Sequence, residues 1–253
     1  MKLKKIYLFC LLFTAFVLAS CSSQKLAGDL TLEQRMQEAI ELFNKRKYLD
    51  ARTQFRVITL SHGGSQLADK AQFYLAECHY ALKEYILSSA EYERLLKVYP
   101  NSEFRDDAKY KLGMSYFQLS PKYSLDQEYT LKAIEHFQEF LEEHHSSEYT
   151  PEVEKKLSEA RGKLAHKLFA AADQYRKMGE LSAAIIYYQM VLDKYYDSDY
   201  AADAQYWVGE CYRKQKRYDL AAVEFEKFMQ KFSGHSYTSR VQSYLAEMPK
   251  TAE

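Results

Sequence analysis

AQFYLAECHYALKEYILSSAEYERLLKVY, residues 71–99, and AQYWVGECYRKQKRYDLAAVEFEKFMQKF, residues 204–232, align without a gap. Each reads as two amphipathic helices joined by a short turn, and self-similarity at a fixed period marks a stack of helical repeats. The small residue of the first helix (helix A) recurs at Ala39, Ala76, Gly113, Ala172 and Gly209, in steps of 37, 37, 59 and 37. The second helix (helix B) has its own small residue at Ala51, Ser88, Ala133, Ala184 and Ala221. Four residues after each of these comes Phe55, Tyr92, Phe137, Tyr188 or Phe225. Small residues let neighbouring helices approach closely, and the ring fills the wedge between them. Five helix pairs follow, and the fold class is all-α. With 8 Gly and 4 Pro in 253 residues, a β-rich chain would be short of turn residues.

The unit resembles the tetratricopeptide pattern, with a Leu-Gly-x-x-Tyr element in helix A and Ala-x-x-x-Phe in helix B. That likeness implies a right-handed solenoid of five such pairs. Beyond the fifth, Tyr237, Val241, Tyr244, Leu245 and Met248 share one face of a C-terminal capping helix. Ser65, Ser102 and Ser198 hold equivalent places and are read as helix N-caps, while Thr31 with Gln34 reads as a capping box. The third pair breaks the rhythm. Its helix B comes eight residues late, after residues 118–127, and fourteen further residues precede the next helix A. Thr150 before Pro151 reads as a cap and a first helical position, which predicts a helix over 151–178, ~42 Å long.

The N-terminus has a different logic. Lys2, Lys4 and Lys5 precede thirteen uncharged residues, Ile6 to Leu18. That run falls short of the ~20 residues needed to span a bilayer and suits a secretory signal. Leu18-Ala19-Ser20-Cys21 resembles the bacterial lipobox, in which the Cys thiol takes a diacylglyceryl group; the alternative is ordinary signal cleavage beside an incidental Cys. Residues 1–20 are read as the signal peptide and 21–30 as a lipidated tether of at most ~35 Å. Residues 31–149 hold repeats one to three, and 150–253 hold repeats four and five with the cap. Cleavage removes three Lys and no acid, leaving 32 basic against 35 acidic side chains, a net charge of −3. Such a body has no general attraction for nucleic acid or an anionic membrane, so attachment falls to acyl chains such as palmitate. Ser22, where Asp is absent, points by analogy with lipoprotein sorting to the outer membrane and a periplasm-facing domain.

Enzyme chemistry finds no constellation. Cys78 and Cys211 occupy the same repeat position and read as packed core thiols. His79 lacks further ligands at zinc spacing, His144-His145 ends a helix B, and the pairs Asp106-Asp107 and Glu142-Glu143 are dispersed. No catalysis, cofactor or metal is assigned. The inner face, lined by A helices, is oily in the N-terminal half: Met36, Ile40 and Phe43, then Phe73 and Tyr80, then Tyr110, Met114 and Phe117. It reads either as a groove for peptides with aromatic anchors or as solenoid core. The C-terminal half is charged, with Arg176 and Arg213 as candidate partner-docking residues.

Five pairs behind a lipobox, a Ser120-Pro121 insertion followed by Asp126-Gln127, and Ala133-Ile134-x-x-Phe137-x-x-Phe140 resemble the BamD (YfiO) lipoproteins of the outer-membrane β-barrel assembly machine. Tyr99-Pro100-Asn101-Ser102-Glu103-Phe104 and Lys163-Leu164-Ala165 fit the same pattern, and the likeness covers essentially the whole mature chain. It implies a non-enzymatic adaptor that docks the barrel-forming BamA subunit and helps recognise C-terminal signals of unfolded outer-membrane proteins. The family usually carries a Glu soon after that Leu-Ala, where His166, Lys167 and Leu168 stand here, so a partner contact made by that Glu is not carried over. A general periplasmic repeat lipoprotein, coordinating envelope or peptidoglycan processes, would use the same fold. Replacing Cys21 with Ser is expected to abolish incorporation of labelled fatty acid; a variant that still labels and fractionates with membranes would sink the lipobox reading.

Overall fold

The computed structural model describes residues 30–247, so Cys21, the signal, most of the tether and Met248 lie outside the described residues. Eleven helices are found there, with no strand among the described residues. Pair one is α1 (Leu32–Asn44) and α2 (Tyr48–Ser61), and pair two is α3 (Ala68–Ala81) and α4 (Tyr85–Val98). Pair three is α5 (Arg105–Leu119) and α6 (Glu128–Glu143), pair four α7 (Thr150–Met178) and α8 (Leu181–Lys194), and pair five α9 (Ala201–Lys214) and α10 (Tyr218–Lys231). A last helix, α11 (Thr238–Glu247), caps the array. Each helix packs chiefly on its neighbours in sequence, which makes the fold a helical repeat solenoid.

The wedge read from the sequence holds it together. Phe55, Tyr92, Phe137, Tyr188 and Phe225 are all fully buried, as are Ala39, Ala76 and Ala172 opposite three of them. At Gly113 and Gly209 the contact is closer still. A methyl group on either would stand 2.7 Å from ring carbons of Phe137 or Phe225. The nearest ring atoms are Cδ1 and Cε1 in both cases.

A second device joins the two helices of a pair. The buried Gln72 and Gln205, four residues before the small residue, each donate from Nε2 to a helix-B backbone carbonyl and carboxylate, Glu91 at 3.0 and 2.7 Å and Glu224 at 3.1 and 2.7 Å. In pair one Arg35 takes that place and donates to Gln54 at 2.6 Å. The A-to-B turns of pairs one, two, four and five close alike. Arg46, Lys83, Gly179 and Lys216 adopt positive φ, with paired backbone bonds such as Glu84 N–H to His79 and Lys83 N–H to Tyr80. Only one of the four is Gly, so three basic residues accept the left-handed conformation to satisfy the last helical carbonyls.

Helix starts differ in part from expectation. Thr31 forms the capping box, its Oγ1 accepting from Gln34 N–H while Gln34 Oε1 accepts from Thr31 N–H. The three serines sit two residues before the N-caps Leu67, Phe104 and Tyr200. Helices α3, α5 and α9 start three residues beyond them, because the backbone carbonyls of Ser65, Ser102 and Ser198 accept from residues 68, 105 and 201 in a preliminary turn. Ser65 Oγ is buried without a partner, Ser198 Oγ donates to Tyr195, and Ser102 Oγ donates to Asp69 while accepting from Phe104 N–H. Thr150 is likewise already helical, with Tyr149 as the N-cap, while the end at Met178 and Gly179 is as expected.

Helix α7 acts as a shared beam. Val153 and Leu157 in its first half join the core of pairs two and three, whereas Ala165, Leu168, Phe169 and Ala172 belong to the core of pairs four and five. The expected division at residue 150 marks where α7 begins; the two cores change over within it. Gly113→Ala and Gly209→Ala should each lower the thermal unfolding midpoint, because overpacking against a fixed ring costs ~1–3 kcal/mol, which outweighs the ~1 kcal/mol that Ala gains over Gly in a helix. Unchanged or raised midpoints for both variants would show that the rings yield.

Candidate functional site

The hydroxyl of the wedge ring dictates the chemistry beside it. Tyr92 and Tyr188 are fully buried, so each phenol needs a partner. Tyr92 Oη donates to Glu77, and Tyr188 Oη shares Asp173 with Arg176. Both acids follow the small residue by one position. Where the wedge ring is Phe55 or Phe137, that position is Ile40 or Met114. Pair five departs, since Phe225 faces a helix that carries Glu210; this carboxylate is nearly buried and takes two bonds from Arg213, at 2.8 and 2.9 Å.

Four residues beyond the small residue stand Phe43, Tyr80, Phe117, Arg176 and Arg213. These reach to the next helix A. Phe43 meets Tyr74 edge-on, with centroids 5.2 Å apart, and Tyr80 lies under the Lys111 ammonium at 4.7 Å. The Arg176 guanidinium stacks on Trp207 at 3.9 Å, and that of Arg213 on Tyr244 at 4.5 Å. Tyr74, Lys111, Trp207 and Tyr244 all stand two residues before a small residue or its equivalent, so one ring or cation–π stitch recurs at four junctions. The junction of pairs three and four differs. There Phe117 is covered by Lys156 at 4.9 Å and Lys163 at 5.3 Å, both from α7.

The candidate groove residues therefore separate into two groups. Met36, Phe73, Tyr110 and Met114 are buried; Phe73 stacks on Phe104 at 4.7 Å and Tyr110 on Tyr149 at 4.3 Å. Ile40, Phe43, Tyr80 and Phe117 are half-buried, each presenting an edge to solvent. Burial pushes the Tyr80 phenol up to about 12. Arg176 and Arg213 keep part of their guanidinium surface while spending hydrogen bonds on Asp173 and Glu210. Burial raises the Asp173 carboxyl, but hydrogen bonds and charge from Lys177 and Arg176 outweigh it and hold the group below its ordinary value.

Cys78 and Cys211 are buried and free, and burial lifts their thiols to about 12 and about 11, which leaves them unreactive. The buried His79 places Nδ1 2.6 Å from Glu84 Oε2, and Glu84 also receives Arg52 of pair one at 2.9 Å. That hydrogen bond, with Arg52, holds the Glu84 carboxyl below its usual range. His144 Nδ1 lies 2.8 Å from Asp106, and His145 bonds the Leu141 carbonyl. Among the described residues no group of three His, Cys, Asp or Glu side chains is placed to hold a metal.

The insertion that delays pair three is fastened to α7. Lys163 Nζ donates to Ser120 Oγ at 2.6 Å and Lys167 Nζ to the Leu125 carbonyl at 2.7 Å. Within it, Gln127 Nε2 donates to the carbonyls of Lys122 and Leu125. Tyr123 stacks on His166 at 3.6 Å, and His166 stacks in turn on Tyr200 at 4.8 Å. His166 and Lys167, which stand where the family usually has its Glu, here help bind the loop to the beam.

A family profile described as YfiO, outer membrane lipoprotein, matches residues 29–216, from the start of the solenoid through the stitched A helices into pair five. The chain belongs to this family. A tetratricopeptide repeat profile also matches residues 203–235. Among relatives of the YfiO family chain, the outer membrane protein assembly factor BamD of Rickettsia prowazekii is 25% identical over 223 residues, 87% of this chain and 88% of that protein. The protein of the same name from Caulobacter vibrioides is 21% identical over 199 residues, 77% of this chain and 65% of its own length. A tetratricopeptide repeat protein from Parabacteroides merdae overlays with a TM-score of 0.43 at 18% identity, covering 88% and 86% of the two chains.

The Asp173 node gives a signed pH test. A carboxyl depressed by folding contributes stability that is present above its unfolded value of ~3.9 and lost as pH falls through the lower folded value. Asp173→Asn should therefore be less stable than wild type at pH 7 in urea unfolding, and the difference should shrink steadily as pH falls below ~3.9. A gap that stays constant as pH falls below that value would show that the carboxylate charge is not what Asp173 contributes.

Proposed function

We propose that this chain is a lipid-anchored adaptor of outer-membrane β-barrel assembly, tethered through Cys21 to the periplasmic leaflet and acting without catalysis. The observation that carries it is the YfiO match over the solenoid, together with two relatives named as outer membrane protein assembly factors that match along 87% and 77% of the chain. The architecture suits the task. A solenoid of stitched A helices offers an extended surface whose shape is fixed before a partner arrives, which lowers the ordering cost of binding. Nothing in such a surface requires a nucleotide or cofactor.

In this reading the two halves divide the work. The half-buried Ile40, Phe43, Tyr80 and Phe117 are the accessible part of a groove for the C-termini of unfolded outer-membrane proteins, with Met36, Phe73, Tyr110 and Met114 as its packed floor. Arg176 and Arg213 dock a BamA-like barrel-assembly subunit. Their carboxylate partners Asp173 and Glu210 fix the guanidinium planes, so an incoming acidic group meets preoriented donors.

The test is affinity isolation of the full chain from native membranes, read by mass spectrometry for the barrel-forming subunit by identity. Wild type should retain that subunit, and Arg213→Glu should lose it at moderate salt with helicity intact. Co-isolation of peptidoglycan-associated proteins in its place would replace this reading with envelope scaffolding.

A further inference from the structure

The last helix is half of a sixth pair. Ala246 comes 37 residues after Gly209, at the place of a helix-A small residue, and Gln242 precedes it by four, as Gln72 and Gln205 precede theirs in pairs two and five. The packing keeps the same register. Tyr244 lies 5.6 Å from the wedge ring Phe225, as Tyr74 lies 5.5 Å from Phe55. Tyr237 stacks on Tyr206 at 4.0 Å, as Phe104 stacks on Phe73 at 4.7 Å. The entering turn repeats too, Thr238 N–H donating to the His235 carbonyl as Ala68 N–H donates to that of Ser65. Helix α11 therefore sits on pair five as a helix A, and its outward face is the one that a helix A gives to its helix B.

Among the described residues no helix B covers that face. Gln72, Ala76, Gln205 and Gly209 are buried by theirs, whereas Gln242 and Ala246 are exposed. Leu245 is only half-buried, where its counterparts Leu75, Leu112 and Val208 are buried. In pair two the helix that fills this place offers Ser88-x-x-Glu91-Tyr92, and in pair five Ala221-x-x-Glu224-Phe225. The small residue lets the two helices close, the Glu receives the Gln amide on both its backbone carbonyl and its carboxylate, and the ring fills the wedge.

We infer that α11 is the docking face for an amphipathic helix of a partner protein, one that carries Ala or Ser, then Glu three residues on and Phe or Tyr four residues on, and so completes the sixth pair. Gln242 is the donor for that Glu, and Ala246 the seat for that ring. Residues 248–253 contain no aromatic side chain to supply it. A second copy is disfavoured as well, because the rings of its own matching helices, Tyr92 and Phe225, are fully buried in their pairs, and lending one would unfold a pair. The inference rests on the register of the repeats and not on the adaptor reading, and the face lies apart from the Phe43 and Tyr80 surface.

The test uses the full chain and a fluorescent peptide with the sequence of residues 218–231, which carries the pattern, held helical by a side-chain lactam, alongside the same peptide with Phe225→Ala. Wild type should bind the first and bind the second at least tenfold more weakly. Ala246→Trp occupies the seat from an exposed position, so it should weaken binding of the first peptide at least tenfold with helicity and unfolding midpoint unchanged. Gln242→Leu removes the donor and should weaken it about tenfold. Equal binding of the two peptides by wild type, or unchanged binding by Ala246→Trp, would overturn the site. As a readout that needs no variant of the chain, a benzoylphenylalanine at the ring position of the peptide should crosslink to α11. Crosslinks on α9 around Gly209 would mean that the peptide merely displaces α10, and would refute the docking face. Dimerisation of wild type that Ala246→Trp abolishes, seen by analytical ultracentrifugation, would assign the face to a second copy and overturn the partner helix.

Discussion

The rest of the structure depends on one contact, a helix-B ring lying on a helix-A residue with little or no side chain. Burying each ring supplies on the order of 1.5–3 kcal/mol, but only if the backbone opposite comes close enough to meet it. That requirement sets Gly or Ala at five positions. It then propagates: a Tyr ring brings a hydroxyl into the core and demands a carboxylate nearby, as at Glu77 and Asp173, whereas a Phe ring permits Ile40 and Met114. Pair five keeps Glu210 beside Phe225 and pair two keeps the oily Tyr80 near Glu77, so the wedge hydroxyl accounts for the carboxylates of pairs two and four alone.

From there the pattern passes between pairs. A carboxylate beside the wedge recruits Arg176 or Arg213, whose guanidinium then lies on an aromatic of the next helix; without that arginine the same reach is made by Phe43 or Tyr80. Candidate binding residues and structural stitches are consequently the same side chains. Binding that uses their exposed edges would act on the coupling between neighbouring repeats, in a fold whose stability is close to a sum of nearest-neighbour terms.

The junction of pairs three and four is where this regularity is set aside. An eight-residue insertion moves α6 away from the register, α7 extends backward to support both cores, and lysines replace the ring stitch. The residues that the family profile matches include this irregular centre as well as the regular pairs on either side.

The sequence by itself determined the number of pairs, the phase of every helix, the five wedges, the Thr31 capping box and the stop at Met178. Each of these is a local or strictly periodic requirement, readable from spacing. It placed three helix starts two residues early, because a preliminary turn and an N-cap present the same residue types at nearly the same offset. Only the tertiary structure decided which inner-face residues are buried, what Arg176 and Arg213 rest on, and how Lys163 and Lys167 hold the insertion. Those contacts join residues 31 to 43 positions apart across helix junctions. Spacing records what repeats, while burial depends on the reach of side chains between helices.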